Sequence, residues 1–279
     1  RENSISFSST VDDSGNVYSA DIDYLVINMT DQMNPEYSNS VVFKNTHSIE
    51  AVKKGKGILR KHNSENQLIF EKELAYNYNC TQNTMILPSK IIFKNNKLYI
   101  TGKVKGSCLG FTDSGSGFDI FVSVYSTEGN LETYFQYGTI RNTAAVQESI
   151  NIDDFASDMF VENEENGETY IYLTGGTYGR LSINSFDTKL MGTILLKLKE
   201  GQNGEITVEG RNIIDVDESD FGNKIFSYGN NLFVVSLRKK SGGVVIDYKI
   251  DSYIYKTNKI DLSPSSYNGR NKKNILPFS

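Results

Sequence analysis

The residues able to do chemistry are few and mostly acidic. Histidine occurs only at His47 and His62, so a nucleophilic triad or a histidine-held metal would have to use one of them. Neither lies in a Gly-x-Ser-x-Gly elbow, and Gly115-Ser116-Gly117 lacks that spacing; both are expected as ordinary strand or loop histidines. Cys80 and Cys108 are too few for a disulfide framework or a cysteine zinc site. Standing 28 residues apart, they either close one bridge in an oxidising compartment or remain two buried thiols. Asp119, Asp153, Asp154, Asp187 and Asp247 are enough carboxylates for a glycosidase pair, which needs two acids flanking one bond. Nothing in their spacing makes any two converge. Asp215-Val216-Asp217-Glu218-Ser219-Asp220 is the densest acidic run, and Asp113-Ser114-Gly115-Ser116-Gly117 with Asp119 is a second acidic loop. Hard oxygens at alternating positions can collect Ca²⁺. The glycine and closing glutamate of an EF-hand are missing from the first, and both read as solvated turns. No residue is therefore assigned as catalytic, cofactor-binding or metal-ligating, and Ca²⁺ is the one cofactor these loops could take.

These residues must be positioned by strands. The chain has 279 residues, Tyr 17 and Phe 15, no Trp, 38% hydrophobic residues and a net charge of -5. Basic and acidic residues are interspersed, which excludes the concentrated basic face that nucleic acids require. No run of about 18 apolar residues is present, so no transmembrane helix is expected. The chain opens Arg1-Glu2-Asn3-Ser4, like a mature or trimmed start. The dominant period is two. Ile120, Val122 and Val124 fall on one face, and Phe121, Ser123 and Tyr125 on the other. Short strands are expected at 4–10, 17–28, 40–45, 67–76, 85–94, 98–101, 118–125, 131–137, 169–174, 193–199, 205–213, 224–228, 231–238, 244–250 and 252–260. Those at 98–101 and 169–174 should stop at Gly102 and Gly175. Hairpin turns are expected at Asn95-Asn96, Glu128-Gly129-Asn130, Asn166-Gly167, Asn203-Gly204 and Asn230-Asn231. Only 143–149 carries a weak helical signal.

The strands recur as copies. Thr101-Gly102 and Thr174-Gly175 stand 73 residues apart, Ile120 and Ile194 stand 74 apart, and Gly129 and Gly204 stand 75 apart. Fainter copies open at Asp13 and Asn230. Four units of about four strands are the ingredient of an all-β propeller with four-stranded antiparallel blades, in a ring of four or five.

A family resemblance rests on these residues. Asn95-Asn96-Lys97-Leu98-Tyr99-Ile100-Thr101-Gly102, Phe118-Asp119-Ile120-Phe121-Val122, Glu128-Gly129-Asn130-Leu131 and Tyr134-Phe135-Gln136-Tyr137-Gly138 together resemble the SBBP-type beta-propeller repeat. The match is good over 95–138, partial over 166–210 and thin elsewhere. It departs at the closing Gly-Gly, where this chain has Gly138-Thr139. The resemblance implies a secreted, periplasmic or cell-surface protein and brings no catalytic residues.

The expectation is one propeller domain over 1–262 with a loop tail over 263–279. Its ring is closed, one terminus completing the blade of the other. As function we expect an exported binding or interaction module with no evident catalytic site. A protein or carbohydrate ligand would sit on the loop face formed by 29–40, 103–117 and 176–192. Two alternatives stand beside it: a carboxylate-dependent glycoside hydrolase or lyase with its site in the channel, and a structural piece of a surface adhesin.

Overall fold

The computed structural model describes residues 3–27, 41–45, 48–74, 80, 84–109, 111, 117–138, 153–164, 167–177, 192–214, 220–239, 250–260 and 262. The strands form four antiparallel sheets. The first holds β1 (Asn3–Val11), β2 (Val17–Ile27), β3 (Val41–Asn45), β4 (Ser48–His62) and β5 (Leu68–Glu73). The second runs β6 (Met85–Lys94), β7 (Lys97–Lys105), β8 (Asp119–Ser126), β9 (Leu131–Tyr137). The third runs β10 (Asp154–Asn163), β11 (Thr169–Thr177), β12 (Gly192–Glu200), β13 (Ile206–Ile214). The fourth shows β14 (Asp220–Tyr228), β15 (Asn231–Lys239) and β16 (Ile250–Asn258). Each sheet opens with a strand that packs on the opening strand of the next, β1 on β6, β6 on β10 and β10 on β14. The chain is an all-β propeller, and these four are its inner strands.

Burial explains the strands. The second and third sheets are covered on both faces, so β8 and β12 are buried almost end to end. One apolar layer joins the first two sheets through Tyr18, Leu59, Ile86, Ile100 and Phe121. A second joins the next pair through Tyr99, Val122, Ile171 and Leu196. The third joins the last pair through Tyr172, Leu195, Leu232, Val234 and Tyr255. Neither face alone could hide this surface; stacking does. The Asn95-Asn96 hairpin forms with both residues at positive φ (51° and 57°), as a two-residue turn between right-twisted strands requires.

Several expectations change. Gly102 and Gly175 do not stop their strands, which continue to Lys105 and Thr177. Each glycine faces a bulge on the inner strand. Residues Phe7, Ser89, Ser157 and Asn223 are extra, one on each of β1, β6, β10 and β14. A Cβ on Gly102 would lie 2.1 Å from the Leu87 carbonyl oxygen, and one on Gly175 would lie 1.8 Å from that of Phe155. The bulge fills the space a side chain would need. The pairing of Ile120 with Ile194 slips by one residue: Gly102 lies opposite Phe121, and Gly175 lies opposite Ile194. A one-residue slip exchanges the faces of a strand, and Phe121, not Ile120, is the counterpart of Ile194. At 230 the turn uses Gly229 (φ 55°), with Asn231 already in β15. β1 lies beside β2 in the first sheet and β16 in the fourth, so neither described terminal strand completes the other's blade.

The helical signal at 143–149, the strand over 244–250, most of the loop inserts and the tail from 263 lie outside the described residues. So do His47, Asp187, Asp247, the run 215–219 and the loop 112–116. Among the described residues no helix is long and apolar enough to cross a membrane.

Candidate active site

An inner strand pairs on one side only, leaving its other edge with open backbone donors. Side chains of the preceding inner strand meet several of them. Ile91 N donates to Ser8 Oγ at 3.2 Å, Phe93 N to Thr10 Oγ1 at 3.1 Å, and Ile225 N to Asp158 Oδ2 at 3.1 Å. The bulge serines also join sheets. Ser89 Oγ donates to Ala156 O at 2.6 Å, and Ser157 Oγ donates to Gly222 O. These hydroxyls are spent on the fold, which leaves the charged side chains beside them for other chemistry.

The residue after each bulge is Ser8, Lys90, Asp158 or Lys224. Both Lys90 Nζ and Lys224 Nζ lie 3.7 Å from Asp158 Oδ1. Asp158 is nearly buried (6% of its side chain exposed), while Lys90 and Lys224 reach solvent (30% and 57%). Asp158 Oδ1 accepts no hydrogen bond although it is buried.

A second set of carboxylates gathers at the heads of the inner strands. Asp153 Oδ1 accepts from Phe118 N at 3.1 Å, and Asp154 N donates to Phe118 O at 2.7 Å. The head of β10 is thus tied to the start of β8. Asp119, next along β8, accepts from Gln136 Nε2 at 2.8 Å, and Gln136 also binds Gly106 O. Of the five nominated carboxylates, Asp153 and Asp154 meet the backbone of Phe118, while the carboxylate of Asp119, the next residue, is turned to Gln136. Asp154 and Asp220 hold equivalent positions. Each opens its inner strand, three residues before the bulge residue Ser157 or Asn223. Asp220 belongs to the acidic run that reads as a solvated turn, and its backbone lies instead in β14 opposite Arg238.

Lys103 stands at the same end. Its ammonium lies 4.6 Å from the centre of the Phe118 ring and 5.9 Å from that of Phe155. Burial pushes this amine below the usual lysine value, and the nearby Asp153 pulls only partly the other way. The Cys80–Cys108 disulfide forms, with a Cα–Cα distance of 4.1 Å, and leaves no free cysteine. It ties the segment leading into β6 to the β7–β8 connection, beside this end of the second sheet. His62 stays in β4 as an ordinary strand residue. Among the described residues no group of three or more His, Cys, Asp or Glu side chains could hold a metal ion.

Asp158, Lys90 and Lys224 escaped the sequence reading. The available signal was a repeated triplet: Pro88-Ser89-Lys90, Ala156-Ser157-Asp158 and Gly222-Asn223-Lys224 align once the bulge is known.

No protein-family model and no curated protein matches the chain. Solved structures do. Similar ones include an α-L-arabinofuranosidase from Clostridium thermocellum (13% identity, TM-score 0.41, covering 99% of this chain and 72% of that one). Another is an exo-β-1,3-galactanase from the same organism (8%, 0.39, 92% and 46%). A third is a β-fructofuranosidase from Bombyx mori (11%, 0.40, 99% and 49%). The chain spans about half the length of the last two. No residue or substrate is carried over from them. All three are glycoside hydrolases, against the expectation of a binding module with no catalytic site. That expectation is corrected.

Proposed function

We propose that this chain is a propeller glycoside hydrolase acting at the mouth of the channel, where Asp154 and Asp220 head adjacent inner strands. The observation that carries the reading is their equivalence: two carboxylate residues at one level on neighbouring strands. Glycoside hydrolysis needs such a pair. One carboxyl protonates the leaving oxygen, and the other attacks the anomeric carbon or activates water against it. Half-buried Asp153 beside Asp154 supplies further acidity, and half-buried Phe155 supplies apolar surface for a sugar ring. The substrate is a carbohydrate entering from the connection end. Export is the matching location, supported by the disulfide, which persists in oxidising compartments. The repeat is read as a divergent SBBP type.

A panel of nitrophenyl glycosides and oligosaccharides tests this. The chain should hydrolyse at least one, and Asp154→Asn and Asp220→Asn should each cut kcat about a hundredfold or more, with circular dichroism unchanged. Azide should rescue an alanine variant of whichever residue is the nucleophile. Full activity in both asparagine variants, or no turnover of any glycoside, would overturn the reading.

A further inference from the structure

One aromatic position recurs in all four sheets. It lies on the second strand, opposite the residue three beyond the bulge, and is held by Tyr18, Tyr99, Tyr172 and Phe233. The three tyrosines are fully buried, each under the next sheet. Phe233 is only half-buried. On its face of the fourth sheet Phe226 is 45% exposed and Tyr228 79%. On the opposite face Ile225, Leu232 and Val234 are buried against the third sheet. The fourth sheet thus repeats an inter-sheet face with no covering sheet among the described residues. The first sheet of the same chain does not match it. Ile91–Ile100, Met159–Leu173 and Ile225–Val234 each press on the preceding sheet. At that register the first sheet has Ser9–Ser19 beside Arg60, whose guanidinium pairs with Asp21, Asp23 and Glu71. Turning this ion-paired surface onto aromatic rings would strip its charges of water with nothing in return.

We infer that a second copy of this chain covers the face, fourth sheet on fourth sheet, about a two-fold axis running along β15. Such an axis keeps every cross-strand row at its own level and reverses its order. The row Phe226–Phe233–Lys256 therefore meets its own reverse. Phe233 packs on the partner's Phe233, and exposed Lys256 reaches over the ring of the partner's Phe226. The row Tyr228–Asn231–Asn258 does the same, setting the Tyr228 hydroxyl against the amide of the partner's Asn258. The face is self-complementary because it carries both the rings and the cation that suits them. The joint between the third and fourth sheets already uses this pairing. Phe160, the counterpart of Phe226, takes the ammonium of Lys259 from the end of the fourth sheet, 5.9 Å from its ring centre. Lys197, the counterpart of Lys256, lies 4.4 Å from the centre of the Tyr170 ring.

Sedimentation velocity and native mass measurement of the full chain test this, independently of the hydrolase reading. The chain should form a dimer that dissociates on dilution. Phe226→Ser with Tyr228→Ser should weaken association at least about a hundredfold. Lys256→Met should weaken it about tenfold, because two symmetric ammonium–ring contacts are lost. Circular dichroism checks folding. Tyr228→Lys, at a side chain too exposed to matter for folding, should by itself shift the equilibrium toward monomer. A chain that stays monomeric up to about 1 mM would overturn the inference and give the face to a different sheet. A dimer of unchanged affinity in the Phe226→Ser, Tyr228→Ser variant would place the contact elsewhere and overturn it too. An unchanged dimer in Lys256→Met would rule out the two-fold along β15.

Discussion

Ser89 and Ser157 hold one place in two sheets and make the same link. Ser89 Oγ lies 2.6 Å from Ala156 O and 3.2 Å from Thr101 O. Ser157 Oγ bonds Gly222 O, with Thr174 O at 3.2 Å. Each reaches its own second strand and the next inner strand. Replacing either by alanine leaves part-buried carbonyls without that donor. Each change should cost about 1–2 kcal/mol in urea unfolding, and the two should add, because they serve different pairs of sheets.

Gly102→Ala and Gly175→Ala should each cost about 3 kcal/mol, because the new methyl meets backbone oxygen that belongs to the bulge. Gly204→Ala is the control. Its φ is 78° and nothing lies within 4 Å of the added atom, so only the left-handed backbone costs, about 1 kcal/mol. Denaturant midpoints should rank the three variants in that order.

Reducing the Cys80–Cys108 bridge, or replacing both cysteines by serine, should lower stability by about 3.5 kcal/mol, the chain-entropy cost of a loop of 28 residues. The bridge ties chain ends at the head of the second sheet. Hydrogen exchange should therefore speed first at the start of β6 and the end of β7, while the β14–β15 hairpin keeps its protection.

Alkaline pH should unfold the protein through its tyrosines. Burial, with a hydrogen bond to Glu200 Oε2 at 2.8 Å, pushes the Tyr99 hydroxyl far up. Burial beside Asp119 does the same for Tyr134. The folded chain keeps protons that the unfolded chain releases near pH 10. This contribution to stability is full below pH 10 and is lost as pH rises above it. Absorbance at 295 nm should show the buried tyrosines ionising only together with loss of the β-sheet signal. Tyr99→Phe should move that transition.

The strands were legible where alternation and turn chemistry agree. Met85–Lys94 and Leu131–Tyr137 were readable residue for residue, because apolar faces end at Asn95-Asn96 and Gly138. No strand was expected over Ser48–His62, since Lys53, Lys54, Gly55, Lys56 and Gly57 interrupt its alternation. The bulges were not legible. Gly102 read as a stop because sequence shows the missing side chain but not the Leu87 carbonyl that takes its place. The same blindness hid Asp158. A bulge shifts parity by one, so counting by twos from Asp154 places Asp158 on the wrong face, and its lysine partners lie in other copies. The acids fared better in part: Asp153 and Asp154 were named, but that both bond the Phe118 backbone depends on β8 and β10 packing across two sheets.

The serine links have a genealogical consequence. A unit that carries a hydroxyl on its own bulge and, on its own inner strand, a carbonyl that accepts from the preceding unit contains both halves of the joint. Copying the gene segment extends such a wheel without inventing a new seam, and each later copy can drift in its channel residues while the fastening stays.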